Sequence, residues 1–314
     1  MKNFTVPILF IIFNRPEQTD QVFAEIKKNK PTRLFIAADG PRHDKLGEYE
    51  LCDNLRKNIL TKIDWPCEVK TLFRDRNLGC KMAVSSAIDW FFKNVENGII
   101  LEDDCLPNQS FFKYCAKMLE RYSQQDNIFM ISGNNFLPDD LSQPANYYFS
   151  RIPHIWGWAT WRRAWQKYDV TMSDWPDFSK NNSIKNIWKK KNVQKYWSKI
   201  FKDTYEGNID TWDYQWNYAI WKNNGLSVVP DVNLVSNIGF GTGTHTLKKN
   251  SIYAALPTFE WKDKLTAAQK DILFSAGDDY ENKKIFLRHY YLRLFLKNCG
   301  LFKLGHLLLS FFKK

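Results

Sequence analysis

The chain opens on an apolar run from Val6 to Phe13, interrupted only by Pro7. A continuous run of this length predicts a strand buried on both faces. The period then changes. Pro16 opens a stretch to Lys28 in which Val22, Phe23 and Ile26 share one face, the pattern of a helix with proline in its first turn. Leu34–Ala38 predicts a second strand, closed by the turn Asp39-Gly40-Pro41. Leu51, Leu55 and Ile59 mark a helix, and Val69–Phe73 a third strand. After the turn Asn77-Leu78-Gly79 come a helix over Ala83–Phe92 and a fourth strand at Ile99–Leu101. A helix over Phe111–Tyr122 and a strand at Phe129–Ile131 follow. Strands alternating with helices predict an α/β fold with a mostly parallel sheet and right-handed crossovers.

Beyond residue 135 the rhythm breaks. The chain becomes rich in Trp, Asn and Lys, with Gly157-Trp158-Ala159-Thr160-Trp161 and Asp210-Thr211-Trp212-Asp213-Tyr214-Gln215-Trp216. Leu226–Val229 predicts a late strand, and Gly239 to His245 a glycine-rich loop. No linker separates these segments from the first half, so residues 1–265 read as one domain with halves 1–135 and 136–265. Residues 266–314 read as a basic amphipathic helical tail. There Leu287, Tyr290, Tyr291 and Leu294 share one helical face, and His289, Arg293 and Lys297 another.

One apolar run ends in chemistry. Ile99-Ile100-Leu101 stops in Glu102-Asp103-Asp104. In open α/β sheets ligands bind at the carboxyl ends of strands, where these acids fall. Two unit charges about 4 Å apart repel by roughly 4 kcal/mol at an effective dielectric near 20. A divalent cation reverses that term, and Mn²⁺ or Mg²⁺ takes carboxylate and phosphate oxygens together. A solvated acidic turn is the other reading. Arg15 and Asp39 follow the first two strands on the same edge, suited to a phosphate or base and to a ribose or base, although both sit in ordinary turns. Asp213, flanked by aromatics, suits proton abstraction or a helix cap, and Asp210 fits either role equally well. His245 is a candidate for metal or phosphate contact.

Composition narrows the classes. The net charge is +11, but from Asn282 onward there are eight Lys or Arg and no acid, so the first 281 residues carry only +3. That body argues against a nucleic-acid partner and directs the basic tail toward something anionic. The tail is too interrupted by charge to span a bilayer; packing on the body, an oligomer contact and a membrane-surface helix stay open. The six cysteines form no C-x-x-C pair and read as free thiols. No secretory pattern stands at the amino terminus, so a cytoplasmic protein, peripheral at the membrane if the tail attaches it, is expected. Thirteen Trp suit sugar stacking as well as core packing, and Trp158, Trp161, Trp212 and Trp216 are candidates for an apolar acceptor wall.

Taken in order, Val6-Pro7-Ile8-Leu9, Asn14-Arg15, Asp39-Gly40, Glu102-Asp103-Asp104, Gly157-Trp158, Trp212-Asp213 and Gly225 to His245 resemble the GT-A glycosyltransferases, nearest to the N-acetylglucosaminyltransferase I family and its bacterial relatives. The resemblance spans roughly residues 5–246 and implies a GT-A, Rossmann-like sheet with its nucleotide half first. It implies that Arg15 and Asp39 hold uridine, that Glu102 and Asp103 contact ribose or sugar, and that Asp104 binds the metal on a UDP-sugar diphosphate. It makes Asp213 the general base. The family has a second acid after this position, where the chain has Tyr214. The implied activity is metal-dependent, inverting transfer from a UDP-sugar to a glycan or lipid-linked acceptor. A sugar-nucleotide nucleotidyltransferase and a non-catalytic carbohydrate-binding protein are the alternatives. The former would carry a glycine-rich triphosphate loop near the amino terminus, and Asn14-Arg15-Pro16 offers none.

Overall fold

The computed structural model describes residues 4–141, 146–240, 253–263, 273–288 and 290. Its first third is the predicted alternation: β1 (Ile8–Ile12), α1 (Pro16–Asn29), β2 (Arg33–Ala38), α2 (Glu48–Thr61), β3 (Glu68–Phe73), α3 (Gly79–Asn94) and β4 (Asn97–Glu102). A short β5 (Cys105–Pro107), α4 (Gln109–Arg121) and β6 (Ile128–Ser132) follow. The later part adds β7 (Tyr147–Ser150) and β8 (Trp158–Trp161), then the short helices α5 (Arg162–Trp165), α6 (Trp175–Lys180) and α7 (Ile184–Ile187). The longer α8 (Lys191–Tyr205) and α9 (Asp213–Lys222) precede β9 (Leu226–Pro230), β10 (Val235–Asn237) and α10 (Ser275–Glu281).

Eight described strands form one sheet in the order β3-β2-β1-β4-β8-β6-β9-β7. The predicted mostly parallel sheet flanked by helices is therefore present. Two strands depart from it: β8 runs antiparallel between β4 and β6, and β7 antiparallel on β9. The aromatic segment after residue 135 thus supplies the middle and one edge of the same sheet. Gly157 makes the entry to β8 possible, because its φ is +71° and a Cβ there would lie 2.9 Å from the Val235 side chain.

Alternate residues of the central strands feed two cores. Ile8, Phe10 and Ile12 face α1, α2 and α4, while Leu9 and Ile11 face α3 and the tryptophan-rich helices. Burial on both faces is why β1 lacks the alternation of a half-exposed strand. Trp158, Trp161, Trp212 and Trp216 are all buried, and Trp158 packs against Trp165, Trp212 and Trp216. The expectation that these four form an acceptor wall is corrected: they are largely core, because large apolar faces without water stabilise most when fully buried. Only Trp212 also reaches the cavity described below.

The described part of the tail packs on the body. Leu287 and Tyr290 lie against the second core, with Tyr290 edge-on to Tyr196 at 4.9 Å. Tyr291, Leu294, Arg293 and Lys297 lie outside the described residues, as do His289 and His245 with most of the glycine-rich loop. Among the described residues no helix is long and apolar enough to cross a membrane. The five described cysteines are free thiols.

Candidate active site

Parallel strands deliver their following loops to one edge. The loops after β1, β2, β3 and β4 carry Arg15, Asp39, Arg42, Arg74, Asn77 and the acidic triplet to a cavity of about 530 Å³. Asp210 to Asp213, leading into α9, form another part of the wall, and Asn237, Gly239 and Phe240 after β10 a third.

The acidic triplet divides. Asp103 is buried, and its two oxygens accept from the Phe13 amide at 3.0 Å and Arg15 Nη1 at 3.0 Å. It ties the end of β1 to β4. Asp104 accepts from the same Arg15 nitrogen at 2.5 Å. Arg15 is thus held by two carboxylates, with its charge at the mouth of the strand edge. Asp104 lies hard against the backbone beyond β10: a Cβ on Gly239 would sit 2.1 Å from Asp104 Oδ2, so no larger residue fits there without moving the acid. Glu102 lines the cavity. Burial first, then the charges of Asp104 and Asp103, push its carboxyl upward, and Arg15 only partly offsets them. Burial also raises Asp103, opposed by Arg15 and the Phe13 amide.

Asp39 turns toward protein amides. It accepts from Gly40 N–H at 2.9 Å, from Leu78 N–H at 2.9 Å and from Gly79 N–H at 3.1 Å. The last two are unpaired donors at the start of α3, so the carboxylate joins the β2 loop to that helix. Burial raises its carboxyl, while these amides and Arg74 pull it back. Arg42 is fixed by Glu48, with Nη2 to Oε1 at 2.5 Å, and Asn14 donates to the same carboxylate at 2.8 Å.

On the facing wall, Asp213 is the first residue of α9. Its Oδ1 accepts from the Tyr214 amide at 2.9 Å and from the Thr211 hydroxyl. Tyr214 turns away and packs edge-on to Trp197 at 6.2 Å, so the position after Asp213 contributes nothing to the cavity. Asp210 lines it as well. Cys80 senses all of this charge. Burial, then Glu102, Asp213, Asp210 and Asp104, push its thiol up to about 12.

Sequence reasoning missed Arg42, Arg74, Asn77, Trp156 and Phe240. Arg74 and Asn77 follow β3 at its carboxyl end, so the rule that picked out Arg15 and Asp39 would have found them. Trp156 and Phe240 are edge-on at 5.6 Å and line the cavity, a pairing with no sequence signal.

The donor set limits what cation would fit. Among the described residues no three His, Cys, Asp or Glu side chains converge as a cage. Glu102 and Asp104 instead lie close enough on the cavity for the charge of Asp104 to push up the Glu102 carboxyl, with Arg15 beside them. That suits a hard cation held by one or two carboxylates and completed by phosphate oxygens.

Neither a family model nor a curated protein matches the chain. Solved structures with a similar strand arrangement include a mannosyltransferase from Pyrobaculum calidifontis in complex with GDP-Man and Mn²⁺, at 11% identity and TM-score 0.34 over 50% of this chain. The match spans 45% of that protein's length. HddC from Yersinia pseudotuberculosis is similar at 10% identity and TM-score 0.33, over 52% of this chain and 80% of its own. The inositol-1-phosphate CTP transferase from T. maritima is similar at 11% identity and TM-score 0.32, over 53% and 74%. Likenesses of this size carry no argument about ligand or reaction.

Proposed function

We propose that this protein is a nucleotide-sugar glycosyltransferase of the GT-A type, acting through the 1–265 unit on a UDP-sugar. The observation that carries the reading is one cavity at the carboxyl ends of the parallel strands that gathers Arg15, Arg42 and Arg74 with Glu102, Asp104, Asp210 and Asp213. Cations for a diphosphate and carboxylates for a metal and a proton are what such a transfer needs in one place.

In this reading Arg15 faces the diphosphate, and Asp39 acts chiefly by holding the β2 and α3 loops around the nucleoside. Glu102 lies nearest the sugar, and Asp103 positions Arg15. Asp104, with Glu102 beside it, would hold Mn²⁺ or Mg²⁺, whose charge stabilises the departing diphosphate when bound. Asp213 accepts the proton of an acceptor hydroxyl. That oxygen forms a bond to the anomeric carbon as the bond to the diphosphate breaks, and its electron pair leaves with UDP. Attack from the opposite face inverts the configuration. Trp156 and Phe240 offer apolar faces to a glycan or lipid-linked acceptor.

The test is a thermal-shift screen of UDP- and GDP-sugars with and without Mn²⁺, followed by turnover. A ligand at a hundred times its Kd should stabilise by about 2.7 kcal/mol. Asp104→Asn should lose the metal-dependent part of the shift. Asp213→Asn should keep the shift and lose about 10²–10⁴ in rate. Nucleoside triphosphate consumption, or sugar binding that needs neither nucleotide nor metal, would replace this reading with a nucleotidyltransferase or a carbohydrate-binding protein.

A further inference from the structure

A second cavity, of about 430 Å³, is lined by Tyr253, Tyr280, Lys283, Lys284 and Arg288. Its three cations make no ion pair among the described residues, unlike neighbouring Lys190, which pairs with Asp279 at 2.9 Å. The acids of the same segment are committed elsewhere. Buried Asp278 takes Arg151 at 3.0 Å and the Ser150 hydroxyl at 2.7 Å, and buried Glu281 takes His154 at 3.1 Å. Asn282 accepts from the Trp197 indole at 2.8 Å. These anchors bolt α10 to the body from below. A π-type turn over Asn282–Phe286 then presents Lys283 and Lys284 outward. Wide turns of this kind are uncommon and recur at functional sites. Three like charges around one concavity repel, and an anion there removes that cost.

The cavity is also joined to the candidate active site. Trp156 lines the first cavity, Phe136 packs edge-on to it at 5.4 Å, and Tyr253 packs edge-on to Phe136 at 5.4 Å. A row of three aromatic rings leads from one cavity to the other.

We propose that the Lys283–Lys284–Arg288 cavity is a phosphate-binding subsite that holds the phosphate-bearing end of the acceptor. Its assignment to an acceptor rests on the transferase reading; the anion site itself does not. Its concavity and tyrosine walls fit a phosphate carried on a sugar or lipid stem, with the aromatic row as the track for the saccharide between.

The probe is inorganic phosphate, titrated calorimetrically into the full chain at low salt with a chelator present. Wild type should bind. The exposed triple variant K283Q/K284Q/R288Q should weaken binding by about tenfold or more, with its melting temperature and its UDP-sugar shift retained. Unchanged phosphate binding in the triple variant overturns the proposal. Flotation with phosphatidylcholine–phosphatidylserine vesicles separates the sources. Loss of both phosphate and vesicle binding supports the site with a lipid-borne phosphate, and loss of phosphate binding alone supports it with a sugar-borne one. Loss of vesicle binding alone overturns it in favour of a lipid-surface contact. Phosphate binding without any sugar-nucleotide shift in wild type would sink the transferase reading and leave the anion site standing.

Discussion

Replacing Asp39 tests whether this carboxylate builds the site or touches the ligand. In Asp39→Ala three amide donors, on Gly40, Leu78 and Gly79, lose their acceptor, at distances of 2.9 to 3.1 Å. A hydrogen bond to a charged group contributes about 1.5–3 kcal/mol when buried. Asp39 is only half-buried, so water recovers part of each bond, and about 1 kcal/mol apiece is the reasonable share. The loss is then about 2–3 kcal/mol. At about 2 °C per kcal/mol for a chain of this size, the melting temperature should fall by about 4–6 °C. Asp39→Asn keeps one acceptor oxygen and presents an NH₂ to a donor, so roughly half of that fall is expected. Differential scanning fluorimetry without ligand measures both. A shift within about 1 °C for Asp39→Ala, accompanied by lost UDP binding, would refute the loop-clamp argument and return the carboxylate to the nucleoside.

Two further outcomes follow from the burial pattern. Burial raises the Asp278 carboxyl to about 6, against the pull of Ser150 and Arg151. The folded chain therefore holds this proton more tightly than the unfolded chain, whose ordinary value is 3.8, so this group's contribution to stability falls as pH rises from about 4 to about 6 and is level above that. Asp278→Asn should flatten that slope, worth about 3 kcal/mol in total; an unaltered profile of melting temperature against pH would contradict it. Trp158→Ala should cost about 3–5 kcal/mol, whereas Trp156→Ala, at a half-buried cavity wall, should cost far less, and equal melting temperatures for the two would overturn the split between core and wall.

Much of the architecture was legible because burial leaves a periodic mark. Ile8–Ile12, Arg33–Ala38 and Asn97–Glu102 are apolar on both faces, and the helices between them are apolar on one. The edge carrying the chemistry was legible for a related reason: parallel strands must put their following loops on one side, so Arg15, Asp39 and Asp104 converge whatever the packing details. What local pattern could not decide was direction and partner. The segment Trp158–Trp161 looks the same in sequence whether it forms a sugar platform or a central antiparallel strand, because both uses want large apolar faces. Its placement between β4 and β6 depends on backbone hydrogen bonds to residues about sixty positions before it and thirty before it. The roles within Glu102–Asp104 were equally hidden. Successive side chains leave the chain in different directions; all three acids border the cavity, but only the third dimension commits both oxygens of Asp103 to the Phe13 amide and Arg15. Composition and periodicity determined which edge bears charge; tertiary packing decided which of those charges is spent on the protein itself and which is left facing a ligand, because hydrogen-bond partners distant in sequence are supplied only by the fold.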